Sequence, residues 1–258
     1  MSNIFIIQTD NRPSLDYLIK TQKINKKFCN LINSYNSIKL HQNTNNYNYL
    51  FINMDNNIYK DIHPATQKIH IVDEFLKKQE CDILVFLDSD AWINNINNLD
   101  IIINKLVLNK QKHGCFSRDP TFAKNNTFIN SGSFIIKNNN FIKKMYPDII
   151  KDLYSNKSYH NKWPYDQFYI SNYIFTNKEK FIIFIPNILN TPNGKVLRHN
   201  WYKKDDKMRK DLDELLIYLD SIKPDCLLEF KQSWLKNNDK EFIIEQFYDD
   251  KPFPNTGT

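Results

Sequence analysis

A chain of 258 residues can bury a sizeable core, as one large α/β domain or two small ones. With 4 glycines and neither a GxGxxG nor a GxxxxGKS/T stretch, it excludes Rossmann dehydrogenases and P-loop NTPases. A net charge of +6 without a Lys/Arg block argues against a nucleic-acid footprint and suits a small anionic substrate.

The N-terminus has no basic region ahead of its apolar residues, so it reads as a strand rather than a signal peptide, and no apolar run reaches the length of a membrane span. The expectation is a soluble, cytoplasmic or otherwise intracellular protein. Cys29, Cys81, Cys115 and Cys226 are too dispersed for a zinc site and read as buried thiols. The excess of Asn, Ile and Lys, as in NNINNLDIIINK, reads as the bias of an AT-rich genome.

Residues 4–7 form a first strand, ending at Gln8, Thr9 and Asp10. Pro13 and Ser14 then open a helix carrying Leu15, Leu18, Ile19, Phe28, Leu31 and Ile32. A loop over 43–48 leads to a strand at 49–52, and Pro64 starts a helix through about Lys78. Residues 83–87 are an unbroken apolar run, read as a strand buried on both faces. This alternation of strand and helix predicts a mostly parallel sheet covered by helices.

Asp88, Ser89 and Asp90 follow the buried strand, at the edge where open α/β sheets bind ligands. Two acids one residue apart can turn both carboxylates toward one cation, and hard oxygen ligands suit Mg²⁺ or Mn²⁺. The alternative is an Asp that caps a helix near Asn94 to Asn98. Lys68 shares a stripe with Ile71, Val72 and Phe75 on the helix before that strand. The helix runs antiparallel to the strand, so the Lys68 ammonium approaches the acids; a snorkelling lysine is the alternative.

Further on, 101–108 reads as helix and 114–117 as strand. Asn130, Ser131 and Gly132 precede a strand at 134–136; they suit sugar hydroxyls or an ordinary turn, with Gly132 permitting positive φ or close backbone approach. Phe141 to Leu153 forms a helix with Pro147 inside it. Asp166 and Gln167 stand at a helix start, where an Asp also serves as a cap. A strand at 181–185 precedes VLRHNW, in which His199 is a competent imidazole ligand for Mn²⁺. Leu212, Leu215, Leu216 and Leu219 mark an amphipathic helix, Trp234, Leu235, Phe242, Ile243 and Phe247 suggest further helical packing, and residues 252–258 read as a frayed tail.

The blocks HPATQKIHIVDEFLKKQECDILVFLDSDAWI, INSGSFIIKNNNF, YDQF and RHNW, in this order, resemble the metal-dependent GT-A glycosyltransferases. The nearest resemblance is to glycosyltransferase family 34, the retaining α-galactosyl-, xylosyl- and mannosyltransferases. It implies a GT-A nucleotide-diphospho-sugar transferase fold over residues 1–204, with 205–258 as a helical C-terminal extension packed on the same domain. The implied reaction moves a hexose or pentose from a nucleotide diphosphate sugar, UDP-sugar first, to a hydroxyl of a glycan or glycoprotein acceptor, with retention. Asp88, Asp90 and His199 resemble the ligands of Mn²⁺ or Mg²⁺. Lys68 resembles the donor-side lysine, with Thr9, Asp10 and Ser89 on the nucleotide side. Asn130 and Gly132 match the sugar-contacting segment, and Asp166 and Gln167 the catalytic pair near the anomeric carbon. The chain departs from the family in lacking a membrane anchor, in having Asn200-Trp201 after the late His, and in having one acid rather than two before Gln167. The competing readings are a DxD-type phosphohydrolase and a catalytically silent nucleotide-sugar-binding relic of the fold.

Overall fold

In a computed structural model, the described residues are 2–38, 45–54, 59, 61–120, 129–201, 206–222 and 244–249. Six strands, β1 (Asn3–Asp10), β2 (Asn46–Asn53), β3 (Ile83–Leu87), β5 (Gly114–Arg118), β6 (Ile129–Lys137) and β7 (Phe181–Phe184), make one sheet of order β2-β1-β3-β6-β5-β7. β1 lies parallel to β2 and β3, and β5 parallel to β7; β6 alone runs antiparallel to its neighbours. A separate two-stranded sheet pairs β4 (Ala91–Ile93) with β8 (Leu197–His199).

The apolar run of β3 is buried on both faces, as its composition requires. Ile83, Val85 and Leu87 point into one core layer, while Leu84 and Phe86 point into the other. The first layer is completed by α1 (Asp16–Ile38), α3 (Ile96–Leu108) and α6 (Asp206–Ser221). The second is completed by α2 (Pro64–Lys78), α4 (Asn140–Ser155) and α5 (Asp166–Thr176). This is the mostly parallel α/β sheet expected, with helices on both faces.

Several local expectations shift. The first helix begins at Asp16 rather than at Pro13 or Ser14. Helix α3 begins at Ile96, five residues earlier than its apolar pattern implied, because the Asn95 side chain accepts the Asn98 N–H and caps it. That cap is an asparagine, so neither Asp88 nor Asp90 is the helix cap. The Asn130-Ser131-Gly132 stretch is no turn: it lies inside β6, whose backbone pairs on both sides, and no described glycine has positive φ. The strand β4 was not foreseen, since three residues carry no periodicity. Pro147 stays within α4. Trp234, Leu235, Phe242, Ile243, Cys226 and the tail 252–258 lie outside the described residues.

Candidate active site

β3 ends at Leu87, and the chain turns with Ala91 N–H donating to the Asp88 carbonyl before β4 begins. This turn rests on a buried polar scaffold. Gln8 Nε2 donates to the carbonyls of Asp88 at 2.9 Å and Ser89 at 3.2 Å, Thr21 Oγ1 donates to the Ser89 carbonyl at 2.9 Å, and Asn25 Oδ1 accepts the Ile93 N–H at 2.9 Å. Buried side-chain networks of this kind fix one backbone geometry, because each member loses a partner if the loop moves. β8 pairs antiparallel with β4 and sets His199 opposite Ala91, and Asn200 N–H donates to the Asp90 carbonyl at 3.0 Å.

That pairing brings Asp88, Asp90 and His199 together, with one ligand atom from each within 4.8 Å of the others. His199 Nε2 lies 3.3 Å from Asp90 Oδ1 and 3.7 Å from Asp88 Oδ2. Asp90 and His199 are buried; the Asp88 side chain is 28% exposed and opens the cluster to the cavity above it. Two carboxylates and an imidazole form a donor set that fits Mn²⁺ or Mg²⁺. Gly132 leaves the space for the ring: a Cβ there would fall 1.9 Å from His199 Cε1. The glycine therefore serves close approach, the second of the two uses its sequence allowed.

Lys68, on α2, reaches across from the other side of the cluster. Its Nζ lies 2.8 Å from Asp88 Oδ1 and 3.3 Å from Asp166 Oδ2. Burial pulls the Lys68 pKa down, but Asp166 and Asp88 outweigh it and hold the ammonium above its ordinary value. Burial pushes the Asp166 carboxyl up to about 6, against the opposing pull of Lys68. Asp166 opens α5 yet does not cap it: the residue at the cap is Tyr165, with φ of 54° and no side-chain capping bond. Tyr165 stacks instead on His63, which caps α2, at 4.1 Å between ring centres.

Gln167 pairs with a residue that the sequence did not flag. Its Nε2 donates to Asp119 Oδ2 at 2.8 Å, and Asn130 Nδ2 donates to the same oxygen at 3.1 Å. Asp119 follows β5 directly and is buried. Asn130 also accepts the Gly132 N–H at 3.0 Å. At the end of β1, Asp10 is engaged by Arg12 through backbone N–H, Nε and Nη2, at 2.7, 3.0 and 3.0 Å. Burial raises the Asp10 pKa, and the Arg12 contacts together with a hydrogen bond from Ser89 more than offset it, so the carboxyl lies below its usual value.

All the residues anticipated from sequence except Gly132 line one cavity of about 910 Å³ at the carboxyl ends of β1 and β3. Gly132 sits just beneath its wall, against the His199 ring. The walls also carry Arg12, Met54, His63, Asp119, Trp163, Tyr165 and Trp201. Their common signal, adjacency to the ends of strands and helices, is too weak in a sequence to separate them from ordinary loop residues.

No protein-family model matches the sequence, and no curated protein matches it. Solved structures do. A glycosyltransferase involved in the glycosylation of the major capsid of PBCV-1 is similar over 83% of this chain and 98% of its own, with a TM-score of 0.59 and 16% identity. The galactosyltransferase LgtC, in complex with donor and acceptor sugar analogs, is similar over 87% of this chain and 98% of its own, with a TM-score of 0.54 and 11% identity. The chain has the GT-A fold. The glycosyltransferase GlyE of Streptococcus pneumoniae is similar over 90% of this chain but only 64% of its own, with a TM-score of 0.51 and 11% identity. Within this GT-A fold the Asp-Asp-His cluster stands at the carboxyl edge of the parallel strands. No described helix is long and apolar enough to cross a membrane.

Proposed function

We propose that the protein is a metal-dependent glycosyltransferase that moves a hexose or pentose from a nucleotide diphosphate sugar, with UDP as the expected nucleotide, to an acceptor hydroxyl. One observation carries the reading: Asp88, Asp90 and His199 converge within 4.8 Å on the floor of a large cavity in a GT-A fold. The three side chains would hold Mn²⁺ or Mg²⁺, which when bound supplies Lewis-acid neutralisation of the charge that grows on a leaving diphosphate. Lys68 adds a second positive charge beside Asp88, placed to pair with a phosphate oxygen. Thr9, Asp10 and Ser89 form the nucleotide end of the cavity, with Arg12 fixing Asp10. Asn130 serves the transferred sugar, and Gly132 keeps the His199 ring in place.

Transfer with retention fits a carboxylate buried beside the reacting centre. Asp166, which Lys68 helps to keep ionised, would stabilise positive charge developing on the anomeric carbon, with Gln167 beside it on the sugar side. In a front-face transfer, where attack and departure share one face of the sugar, a leaving phosphate oxygen takes the acceptor proton and no side chain is needed as a base; the alternative makes Asp166 a covalent nucleophile. The catalytic unit comprises residues 1–204, with 205–258 as an extension of it whose described helix α6 packs on the first core layer. The four sequence blocks support kinship with glycosyltransferase family 34.

Thermal unfolding with UDP, GDP, ADP and CDP, each with and without Mn²⁺, tests the reading. A ligand at about a hundred times its Kd adds about 2.7 kcal/mol, or roughly 5–10 °C in Tm for a chain of this size. The expected result is such a shift for UDP with Mn²⁺ and a far smaller one for either alone. Absence of any metal-dependent shift, whichever nucleotide is used, would falsify the proposal.

A further inference from the structure

We infer that His63 and Tyr165 are a positioning pair: their stacked rings hold Asp166 against Lys68, and they do so only while the His63 imidazole is neutral. The inference rests on the glycosyltransferase reading and adds to it a built-in response to acid.

Among the described residues Tyr165 is the one non-glycine with positive φ, at 54°. A side chain is disfavoured there, and such a backbone persists where its surroundings over-determine it. The next residue is the buried Asp166, so the Tyr165 backbone sets the direction in which that carboxylate leaves the chain. Those surroundings are the start of α2. Asn161 Nδ2 donates to the Asp61 carbonyl at 2.8 Å, His63 N–H to the His160 carbonyl at 3.2 Å, and Thr66 Oγ1 to the same carbonyl at 3.1 Å. These bonds reach no further than Asn161. The stack of Tyr165 on His63, with ring centres 4.1 Å apart and planes 16° from parallel, carries the anchorage on to the residue before Asp166. Lys68, further along the same helix, meets Asp166 Oδ2 at 3.3 Å. One helix start thus fixes both partners of that ion pair.

His63 is itself held by a bond that a proton can break. Its Nδ1 accepts the Ala65 N–H at 3.1 Å, as the cap of α2. Nδ1 accepts only in the neutral ring that carries its proton on Nε2. A second proton would set donor against donor and place a positive charge at the positive end of a helix. Arg12, paired with Asp10 at the end of β1, opposes the charged ring as well: burial lowers the His63 pKa from 6.5 and Arg12 lowers it further. The other titratable groups around it are Asp61 and Lys68 on its own segment and helix, His160 in the adjoining loop, and Tyr165 and Asp166 at the start of α5. A protonated ring has to leave the cap, and its stack on Tyr165 goes with it. The pair is therefore intact at pH 7 and is lost as pH falls through the folded value, below 6.5.

The test has one arm that needs no substrate. Asp166→Asn removes the local carboxyl titration, and the full chain is followed by ¹⁵N–¹H NMR between about pH 7 and 5, the range of a histidine. The backbone amides at 166 and 167 should still shift with the midpoint of the His63 ring. They should stop doing so when His63→Phe or Tyr165→Ala is added, while the remaining spectrum stays dispersed and shows the variants folded. Static amides, or a shift that survives Tyr165→Ala, would overturn the inference. The second arm follows release of UDP from UDP-glucose, UDP-galactose, UDP-xylose and UDP-N-acetylglucosamine with Mn²⁺, water serving as acceptor. Tyr165→Ala should lower kcat by roughly 10²-fold, as a misplaced reacting group does, with KM changed by less than about threefold. Tyr165→Phe, which keeps the stack, should restore kcat to within about twofold of native. In acid the native log kcat should fall with the slope of two protons, from His63 and Asp166, and in His63→Phe with that of one. Unchanged kcat in Tyr165→Ala, or the same acid limb in His63→Phe, would also overturn the inference. No UDP release from any donor, with the amide response present, would sink the transferase reading and uphold the pair.

Discussion

Removing the carboxylate of Asp249 should unsettle the fold from a point far along the chain. Asp249 pairs with Arg118 through Nε and through Nη2, the latter at 3.2 Å, and both side chains are almost wholly buried, at 2% and 4% exposure. The segment around it also extends the sheet at β7: Asp249 N–H donates to the Ile183 carbonyl at 2.8 Å and Ile185 N–H to the Phe247 carbonyl at 3.0 Å. Asp249→Asn leaves the guanidinium in a dry site facing a neutral amide. Breaking a buried pair by removing one partner costs about 3–5 kcal/mol, and a chain of this size loses about 2–4 °C of Tm per kcal/mol. The expected fall in Tm by calorimetry is therefore on the order of 10 °C. The control is Arg118→Met with Asp249→Leu, which removes both charges and keeps much of the volume. If the cost is that of a stranded charge, the double variant should be more stable than Asp249→Asn alone. A drop below about 2 °C in the single variant, or a double variant at least as unstable, refutes the reasoning.

Other expectations concern the cavity and pH. Gly132→Ala should keep the fold yet abolish Mn²⁺-dependent stabilisation by UDP, since its Cβ would displace His199; an unchanged thermal shift contradicts this. Lys68→Met should weaken UDP binding, read by calorimetry, by roughly 1.5–3 kcal/mol, the range for a hydrogen bond to a charged group. Asp166→Asn should lower kcat by about 10²–10³ with KM for the donor little changed; a KM effect alone would make Asp166 a donor anchor. Burial lowers the pKa of His63, His70 and His113 from 6.5, so the unfolded chain binds protons first as pH falls. The stability they contribute is complete above about pH 6.5 and is lost as pH drops through their folded values. Asp166, its carboxyl raised to about 6, opposes this over the same window, so Tm should fall between about pH 7 and 5 more clearly in Asp166→Asn than in the native chain.

What could be read from the sequence follows from the range of the forces concerned. β3 announces itself because burial on both faces demands an unbroken apolar run, and α2 because Pro64 and the stripe of Lys68, Ile71, Val72 and Phe75 are local signals, although the helix also buries Ile69 and Leu76 and leaves Ile71 only partly covered. The approach of Lys68 to Asp88 follows from strand–helix geometry alone. Asn130-Ser131-Gly132 misleads because the same residues favour turns; the pairing of Asn130 with Ser117 on β5 and the Asp88 N–H donating to the Gly132 carbonyl, both distant in sequence, hold it extended. Asp119 escapes notice because its partners, Asn130 and Gln167, come from other elements. The Gln8, Thr21 and Asn25 scaffold is hidden for the same reason: polar residues in strands and helices look solvent-facing until tertiary packing buries them.

The pairing of β4 with β8 has a bearing on how the protein comes into being. Asp88 and Asp90 leave the ribosome early, at the end of a strand that can dock on β1 as soon as both exist, whereas His199 waits for almost the whole catalytic sheet to be translated. Contacts of such long sequence separation close late, after their loop entropy has been met by the intervening core. A nascent or shortened chain that stops before Leu197 thus carries two residues of the Asp-Asp-His cluster and lacks the third. On the proposed function, metal-dependent nucleotide binding would report completion of the fold, and its first appearance during refolding would date the moment when β8 is stitched onto β4.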